Sequence, residues 1–108
     1  MSIFVYVAGP YTGGDPVLNV RAAIEAGQDL LDAGYVPFVP HLYHFWHHQI
    51  PGSYEQWMHL DLEWLKKCDA LVRLEGPSPG ASREEDAANN LGIPVFYSVQ
   101  SFIDYMVA

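Results

Sequence analysis

The chain has 108 residues, of which 50% are hydrophobic and 14% aromatic, and its 13 acidic and 5 basic residues give a formal net charge of -8. This length is enough for a single domain, residues 1–108, and leaves no room for a second core. The basic residues are scattered along the sequence, which argues against a nucleic-acid polymer as partner, because binding such a polymer requires clustered cations.

The first third of the chain contains two strand signals separated by a helix signal. The β-branched and aromatic run IFVYVA at 3–8 ends at the glycines of GPYTGG, which predicts a buried strand. Apolar residues then recur at helical spacing, with Asp15 as N-cap, Pro16 at the first helical position and Gly34 as the stop, and predict a helix of about five turns. The proline-interrupted segment YVPFVP at 35–40 predicts a second strand.

The rest of the chain repeats this alternation. The aromatic and His-rich segment HLYHFWHHQIPG at 41–52 is predicted to be irregular. A capping box of Ser53 and Gln56 predicts a second helix that runs to about Lys67. A third strand is expected in DALVRL at 69–74, followed by a loop and a third helix in EGPSPGASREEDAANNLG, a fourth strand in IPVFYS and a terminal helix in VQSFIDYMV.

Alternating strands and helices predict an α/β fold of the flavodoxin-like (Rossmann-like) type, a three-layer domain with a small parallel sheet of four to five strands. Ligands of such sheets bind beyond the carboxyl ends of the strands. The loops GPYTGG and EGPSPG follow the first and third strands, so we expect them to meet at one crevice. Their glycines and the helix N-termini behind them suit a phosphate or another anion, although each loop is equally consistent with a plain structural turn.

Three consecutive acids, Glu84, Glu85 and Asp86, follow the second of these loops. Glu84 is expected in the first turn of the third helix, at the rim of the crevice, either as a favourable charge at the helix start or as a nucleophile. Glu85 and Asp86 are rotated from it by about 100° and 200° around the helix, and we interpret both as solvated charges.

Asp61 shares one face of the second helix with Trp57, Trp64 and Leu65. Burying an unpaired charge between two tryptophans would cost several kcal/mol. The carboxyl group must therefore be hydrogen-bonded, or exposed at the helix end, or serve a substrate.

Four histidines, His41, His44, His47 and His48, fall in the aromatic segment. They lack a matching set of cysteines or acids at the usual zinc spacing, so no metal and no organic cofactor is expected. Histidine and aromatic side chains are better suited to stacking on a planar ring such as a nucleobase, and we count His41 among the substrate-binding candidates.

The single cysteine, Cys68, excludes an internal disulfide. The N-terminal stretch MSIFVYVAGP has neither the basic flank nor the length of a signal peptide or a membrane-spanning segment. We therefore expect a cytoplasmic protein without a membrane partner.

Three blocks, VAGPYTG, MHLDLEWLKKCDALVRL and PSPGASREEDAANNLGIPVF, resemble the nucleoside 2-deoxyribosyltransferase superfamily in order and over almost the whole chain. Within it, the chain resembles small proteins of unknown function and the related 2'-deoxynucleoside 5'-phosphate N-hydrolases. The resemblance implies that Glu84 attacks the anomeric carbon of the sugar and that Asp61 holds the sugar or assists the leaving base. It also implies that the first loop lies against the sugar and its 5' substituent, through Gly9, Pro10, Tyr11, Thr12 and Gly13.

Two positions bear on the substrate. The transferases of this superfamily tend to have an aspartate six residues before the nucleophile and the nucleotide hydrolases a serine, and this chain has Ser78. A neutral hydroxyl beside the N–H groups of Gly80 and Ala81 would accommodate a phosphate. Arg83 stands where these hydrolases have an aromatic residue, and it could pair with phosphate or with Glu85.

The sequence thus predicts cleavage of the N-glycosidic bond of a (deoxy)nucleoside 5'-monophosphate or nucleoside through a covalent glycosyl-Glu84 intermediate. One alternative is deoxyribosyl transfer between bases, and another is a nucleotide-binding or regulatory module without catalysis. The hydrophobic content and the resemblance both predict a homodimer or a dimer of dimers.

Overall fold

A computed structural model describes residues 1–108. The elements in chain order are strand β1 (Phe4–Ala8), helix α1 (Pro16–Asp32), β2 (Val36–Phe38), a 3-10 turn (Pro40–Leu42), α2 (Tyr43–Gln49), α3 (Tyr54–Leu65), β3 (Ala70–Arg73), α4 (Pro79–Leu91), β4 (Val95–Phe96) and α5 (Val99–Val107). The strands form one parallel sheet in the order β2-β1-β3-β4. The predicted flavodoxin-like α/β fold is confirmed, with four strands. None of the helices combines the length and the apolar character needed to cross a membrane.

Helices cover both faces of the sheet, and the side chains of each strand alternate between the two faces. Val5 and Val7 of β1 pack with Leu30 of α1 and Phe102 of α5 in one apolar cluster. Tyr6, on the opposite face, belongs to a second cluster that also includes residues of α3 and α4. The strands are therefore buried on both sides, which explains why β1 reads as a continuous apolar run.

The position of the site follows from the connections of β1 and β3, which are neighbours in the sheet. The chain leaves β1 for α1 on one face and leaves β3 for α4 on the other, so the two loops diverge and open a crevice. At the base of the crevice the loops lie close together. A Cβ atom added to Gly9 would be only 3.0 Å from the Cβ of Leu74. The two glycine loops therefore meet as predicted.

Local sequence signals account for the helix boundaries. Asp15 accepts a hydrogen bond from the N–H of Val17 at 2.9 Å, and Ser53 accepts one from the N–H of Gln56 at 3.1 Å. Gly34 follows α1 with φ of +95°, a conformation that glycine adopts without strain. The predicted N-caps Asp15 and Ser53 are confirmed, whereas the predicted capping box is only half formed, because the side chain of Gln56 makes no hydrogen bond to the N–H of Ser53.

Two predictions about where the helices lie are wrong. Most of the segment predicted to be irregular, 41–52, forms the end of the 3-10 turn and helix α2. Its residues have weak helix propensity, but packing fixes the helix, since the Tyr43 ring stacks on that of Trp57 with centroids 5.8 Å apart. Glu84 lies in the second turn of α4 and not in the first, because α4 already begins at Pro79 with Ser78 as its N-cap.

Candidate active site

A cleft of about 530 Å³ opens at the carboxyl ends of β1 and β3. One wall is formed by the glycine loop after β1, one by α2 and α3, and one by the start of α4. The cleft brings together nearly all of the predicted site residues: Gly9, Tyr11, Thr12, Gly13, His41, Asp61, Ser78, Gly80, Ala81 and Glu84.

Pro10 is the predicted site residue that does not line this cleft. Its ring lies beside Gly76 of the neighbouring loop, where a Cβ would be 2.9 Å from the Cγ of Pro10 and where φ is +112°. Its carbonyl oxygen faces His41 at 3.1 Å. Pro10 therefore contributes to the packing of the two loops, and its side chain faces away from any ligand in the cleft.

Glu84 is a buried carboxyl group in the wall of the cleft, only 5% exposed. Its Oε2 accepts a hydrogen bond from the hydroxyl of Tyr6, a fully buried residue of β1. Burial raises the pKa of Glu84 to about 8; the hydrogen bond from Tyr6 opposes this change, and the charge of Asp61 adds to it. A perturbed carboxyl group in a cleft is a typical feature of catalytic sites.

Asp61 reaches the same cleft from α3, and its Oδ1 is buried without a hydrogen-bond partner in the protein. Burial raises the pKa of this carboxyl group to about 7. Of the three possibilities set by the sequence, a paired Oδ1 and an exposed helix end do not apply, and the carboxyl group lies in the wall of the cleft. Because the charge of Asp61 adds to the raised pKa of Glu84, ionisation of both carboxyl groups at once is disfavoured.

The residues beside Glu84 have other partners. Glu85 is half-buried, lies 3.4 Å from Nη1 of Arg73 and accepts a 2.7 Å hydrogen bond from Tyr97, so its prediction as a solvated charge is wrong. Asp86 is exposed, as predicted. Arg83 pairs with Glu55 at 2.7 Å instead of with Glu85. Glu84 is the one acid of the three that lines the cleft.

Ser78 has a structural role at the start of α4. Its Oγ accepts a 3.1 Å hydrogen bond from the N–H of Ala81, so that amide is not free for an anion as the sequence suggested. The N–H of Gly80, the second residue of the helix, makes no backbone hydrogen bond. The donors left for an anion are therefore this N–H and the Ser78 hydroxyl, at the positive end of the helix dipole.

Histidines connect the walls of the cleft. The Nε2–H of the buried His41 donates to the carbonyl oxygens of Gly9 at 3.2 Å and Pro10 at 3.1 Å, and burial lowers the pKa of this ring. His44 is hydrogen-bonded through Nδ1 to the hydroxyl of Tyr11. His47 accepts hydrogen bonds from the indole N–H of Trp57 and the backbone N–H of Gly52. The histidines thus fix the glycine loop and helix α2 against α3.

Several residues that shape the site were not singled out from the sequence. Tyr6 lies in an apolar strand. The only sequence signal for its role was the presence of a hydroxyl group within a run predicted to be buried. The others come from the wall formed by α2 and α3: Tyr43, His44, His47, Tyr54 and Met58. The aromatic and His composition of this segment was noted, but the positions of Tyr43, His44 and His47 depend on helix α2, which the sequence did not predict.

Comparison with known proteins gives a family and a structural relative. A family model described as "Domain of unknown function (DUF7768)" matches residues 3–98. No curated protein matches the chain. Among solved structures, the chain is similar to a 2-deoxyribosyltransferase from the psychrotolerant bacterium Bacillus psychrosaccharolyticus, described as a biocatalyst for the synthesis of nucleosides. The TM-score is 0.64 and the sequence identity 27%, over 85% of this chain and 69% of the other. This similarity supports the superfamily resemblance predicted from the sequence.

Proposed function

The chain belongs to the DUF7768 family, and we propose that it cleaves the N-glycosidic bond of a (deoxy)nucleoside or its 5'-monophosphate. The observation that carries this proposal is the pair of carboxyl groups in one cleft. Glu84 is buried and hydrogen-bonded to Tyr6, while Oδ1 of Asp61 has no partner in the protein. The 2-deoxyribosyltransferase similar to this chain supports the same class of substrate.

The proposed reaction divides the work between the two carboxyl groups. The reaction requires the form of the site in which Asp61 is protonated and Glu84 is ionised; because the pKa of Glu84 is the higher of the two, this form is the minor one in the free protein. In this form the carboxylate of Glu84 attacks C1' of the sugar as the bond from C1' to the base breaks. The electron pair of that bond leaves with the base, which takes a proton from Asp61. The result is a glycosyl ester of Glu84, a free base and an ionised Asp61.

The second half of the cycle restores both groups. The oxygen of a water molecule attacks C1', the ester bond breaks to return the carboxylate of Glu84, and the proton of water passes to Asp61. If a second base attacks C1' in place of water, the product is a new nucleoside. Transfer is the second candidate function, and the described activity of the similar structure favours it.

Contacts in the cleft support a direction for the ligand. The donors at Ser78 and Gly80 suit a 5'-phosphate at the start of α4. The rings of Tyr43 and Trp57 offer planar surfaces in the wall formed by α2 and α3, on which the base would lie. The sugar then lies between them, within the reach of Glu84 and Asp61.

Base release tests the proposal directly. Nucleosides and nucleoside 5'-monophosphates, in ribo and deoxy forms, are incubated with the protein, with and without a second free base, and products are separated by chromatography. Free base alone indicates hydrolysis, and a new nucleoside indicates transfer. Ligand binding by calorimetry together with no product from any substrate would instead indicate a binding module.

The role of Glu84 is tested by a matched pair of substitutions. Glu84→Gln keeps the shape of the side chain but cannot form a stable glycosyl ester, so turnover should fall by roughly three or more powers of ten. Asp86→Asn makes the same chemical change two residues away on an exposed position and should leave turnover nearly unchanged. A 2-fluorinated substrate should leave its sugar on Glu84, located by mass spectrometry of a digest. A label elsewhere, or full activity in Glu84→Gln, would refute this mechanism.

A further inference from the structure

His47 has a hydrogen-bonding pattern that defines where its ring carries a proton. Its Nδ1 accepts from Nε1–H of Trp57 at 2.7 Å and from the backbone N–H of Gly52 at 3.1 Å. An indole N–H and a backbone N–H can only donate, so Nδ1 carries no hydrogen. The hydrogen of the ring therefore lies on Nε2.

The Nε2–H of His47 has no partner in the protein. His47 lines the cleft, its Nε2 makes no hydrogen bond within the chain, and the atom is not among the buried unpaired polar atoms. Nδ1 points to the junction between α2 and α3, and Nε2 lies on the other side of the ring. His47 thus offers a donor whose direction and polarity are both fixed, since the ring cannot turn without breaking two hydrogen bonds.

We propose that His47 selects ligands by the exocyclic group of their base, favouring an oxygen acceptor such as a keto group over an amino group. This inference rests on the proposed function for the placement of the base at this wall. A keto oxygen accepts the Nε2–H, whereas an amino group at the same place presents a second donor and cannot accept it.

The aromatic residues next to His47 make this wall suitable for binding a base. The ring of Trp57, held by its hydrogen bond to His47, stacks on Tyr43, and both line the cleft. A stacked base has its edge in the plane of its ring, where a hydrogen bond from a neighbouring side chain can distinguish a carbonyl oxygen from an amino group. Stacking supplies affinity for any base, and His47 supplies the difference between bases.

The test uses two pairs of free bases, hypoxanthine with adenine and uracil with cytosine, titrated into the protein by saturation-transfer NMR. Within each pair a keto oxygen replaces an amino group, and the adjacent ring nitrogen carries a hydrogen only in the keto member. In the unmodified protein the keto member of each pair should bind at least tenfold more tightly. His47→Asn is the informative variant, because its shorter amide can still accept from Trp57 and Gly52 but does not reach the position of Nε2. In this variant the ratio should fall to near one, and thermal stability should change little.

His48→Asn is the matched control, since His48 is exposed and does not line the cleft, and the keto preference should persist in it. A preference for the amino member, equal binding within both pairs, an unchanged ratio in His47→Asn, or no binding of any of the four bases would each overturn the inference. Because the readout is binding of free bases, a keto preference without base release from nucleosides would leave the inference standing and refute the proposed function. Base release without a keto preference would support the proposed function and overturn the inference.

Discussion

The hydroxyl group of Tyr6 donates a hydrogen bond to Oε2 of Glu84, joining the central strand to helix α4 across 78 positions of sequence. Both side chains are buried, and no other hydrogen bond to the Glu84 carboxyl group is present. The bond favours the ionised carboxylate and so lowers a pKa that burial raises. Tyr6 therefore positions the proposed nucleophile and partly offsets the cost of ionising it.

Replacing Tyr6 by Phe should remove this hydrogen bond and keep the ring in place. Without it, the pKa of Glu84 rises further, so the acidic limb of kcat/KM against pH should move to higher pH by about one unit. The loss of activity should be about tenfold near pH 6 and smaller near pH 9. Tyr35→Phe, on the cluster of the opposite sheet face, is the control. A uniform loss at every pH would indicate that Tyr6 acts only through packing.

Stability should also depend on pH through Glu84. Its folded-state pKa of about 8 lies above its ordinary value of 4.5, so the folded state binds more protons than the unfolded state between these values. Stability is therefore lost as pH rises through this window, by up to about 1.4 kcal/mol per pH unit. Glu84→Gln should melt near the unmodified protein at pH 4.5 and about 5 °C or more above it at pH 8. Equal melting temperatures at pH 8 would contradict the raised pKa.

Asp61→Asn separates the proposed proton donor from the nucleophile. The variant cannot protonate a leaving base, so turnover should fall by about two powers of ten, less than for Glu84→Gln, and the alkaline limb of the pH profile should disappear. Removing its charge also lowers the pKa of Glu84, which moves the acidic limb to lower pH. A 7-methylguanine nucleotide, whose base leaves without an added proton, should recover most of the lost rate. If it does not, Asp61 acts by holding the sugar.

The parts of the fold that could be predicted from sequence are those with local causes. The order of strands and helices follows from the change of apolar period, and the starts of α1 and α3 follow from Asp15 and Ser53, whose side chains cap the next turn. The meeting of the two glycine loops follows from the general behaviour of parallel sheets. These features require no knowledge of distant contacts.

The parts that could not be predicted depend on pairs far apart in sequence. Helix α2 has weak intrinsic propensity and is held by ring contacts with α3, and Glu85 is held by Arg73 and Tyr97. To predict the hydrogen bond between Tyr6 and Glu84, one must know both which face of β1 carries Tyr6 and where α4 begins. That start could have been read from the Ser-Pro pair at 78–79, a typical N-cap and first helical residue.

Self-association remains a prediction. Helix α2 has no buried residue, and its outer surface exposes Phe45 by 72%, while Ile50 after it is 69% exposed. Apolar side chains concentrated in this way favour a partner, and we expect a homodimer or a dimer of dimers at micromolar concentration. Light scattering should give two or four times the chain mass of 12.1 kDa. Phe45→Ser combined with Ile50→Ser should give a monomer, whereas Val17→Ser with Leu18→Ser on α1 should not. A monomer before any substitution would contradict the prediction.

Recognition of a 5'-phosphate is tested at Ser78 by two substitutions that differ only in charge. Serine, asparagine and aspartate all cap helices well, so Ser78→Asn and Ser78→Asp should both keep the bond to the N–H of Ala81 and the start of α4. The aspartate adds a negative charge where the phosphate would lie. The ratio of kcat/KM for a 5'-monophosphate to that for its nucleoside should therefore fall at least tenfold in Ser78→Asp and change much less in Ser78→Asn. Inorganic phosphate should compete with the nucleotide in the unmodified protein and not in Ser78→Asp. Equal kcat/KM for nucleotide and nucleoside before any substitution would mean that Ser78 serves only as a helix cap.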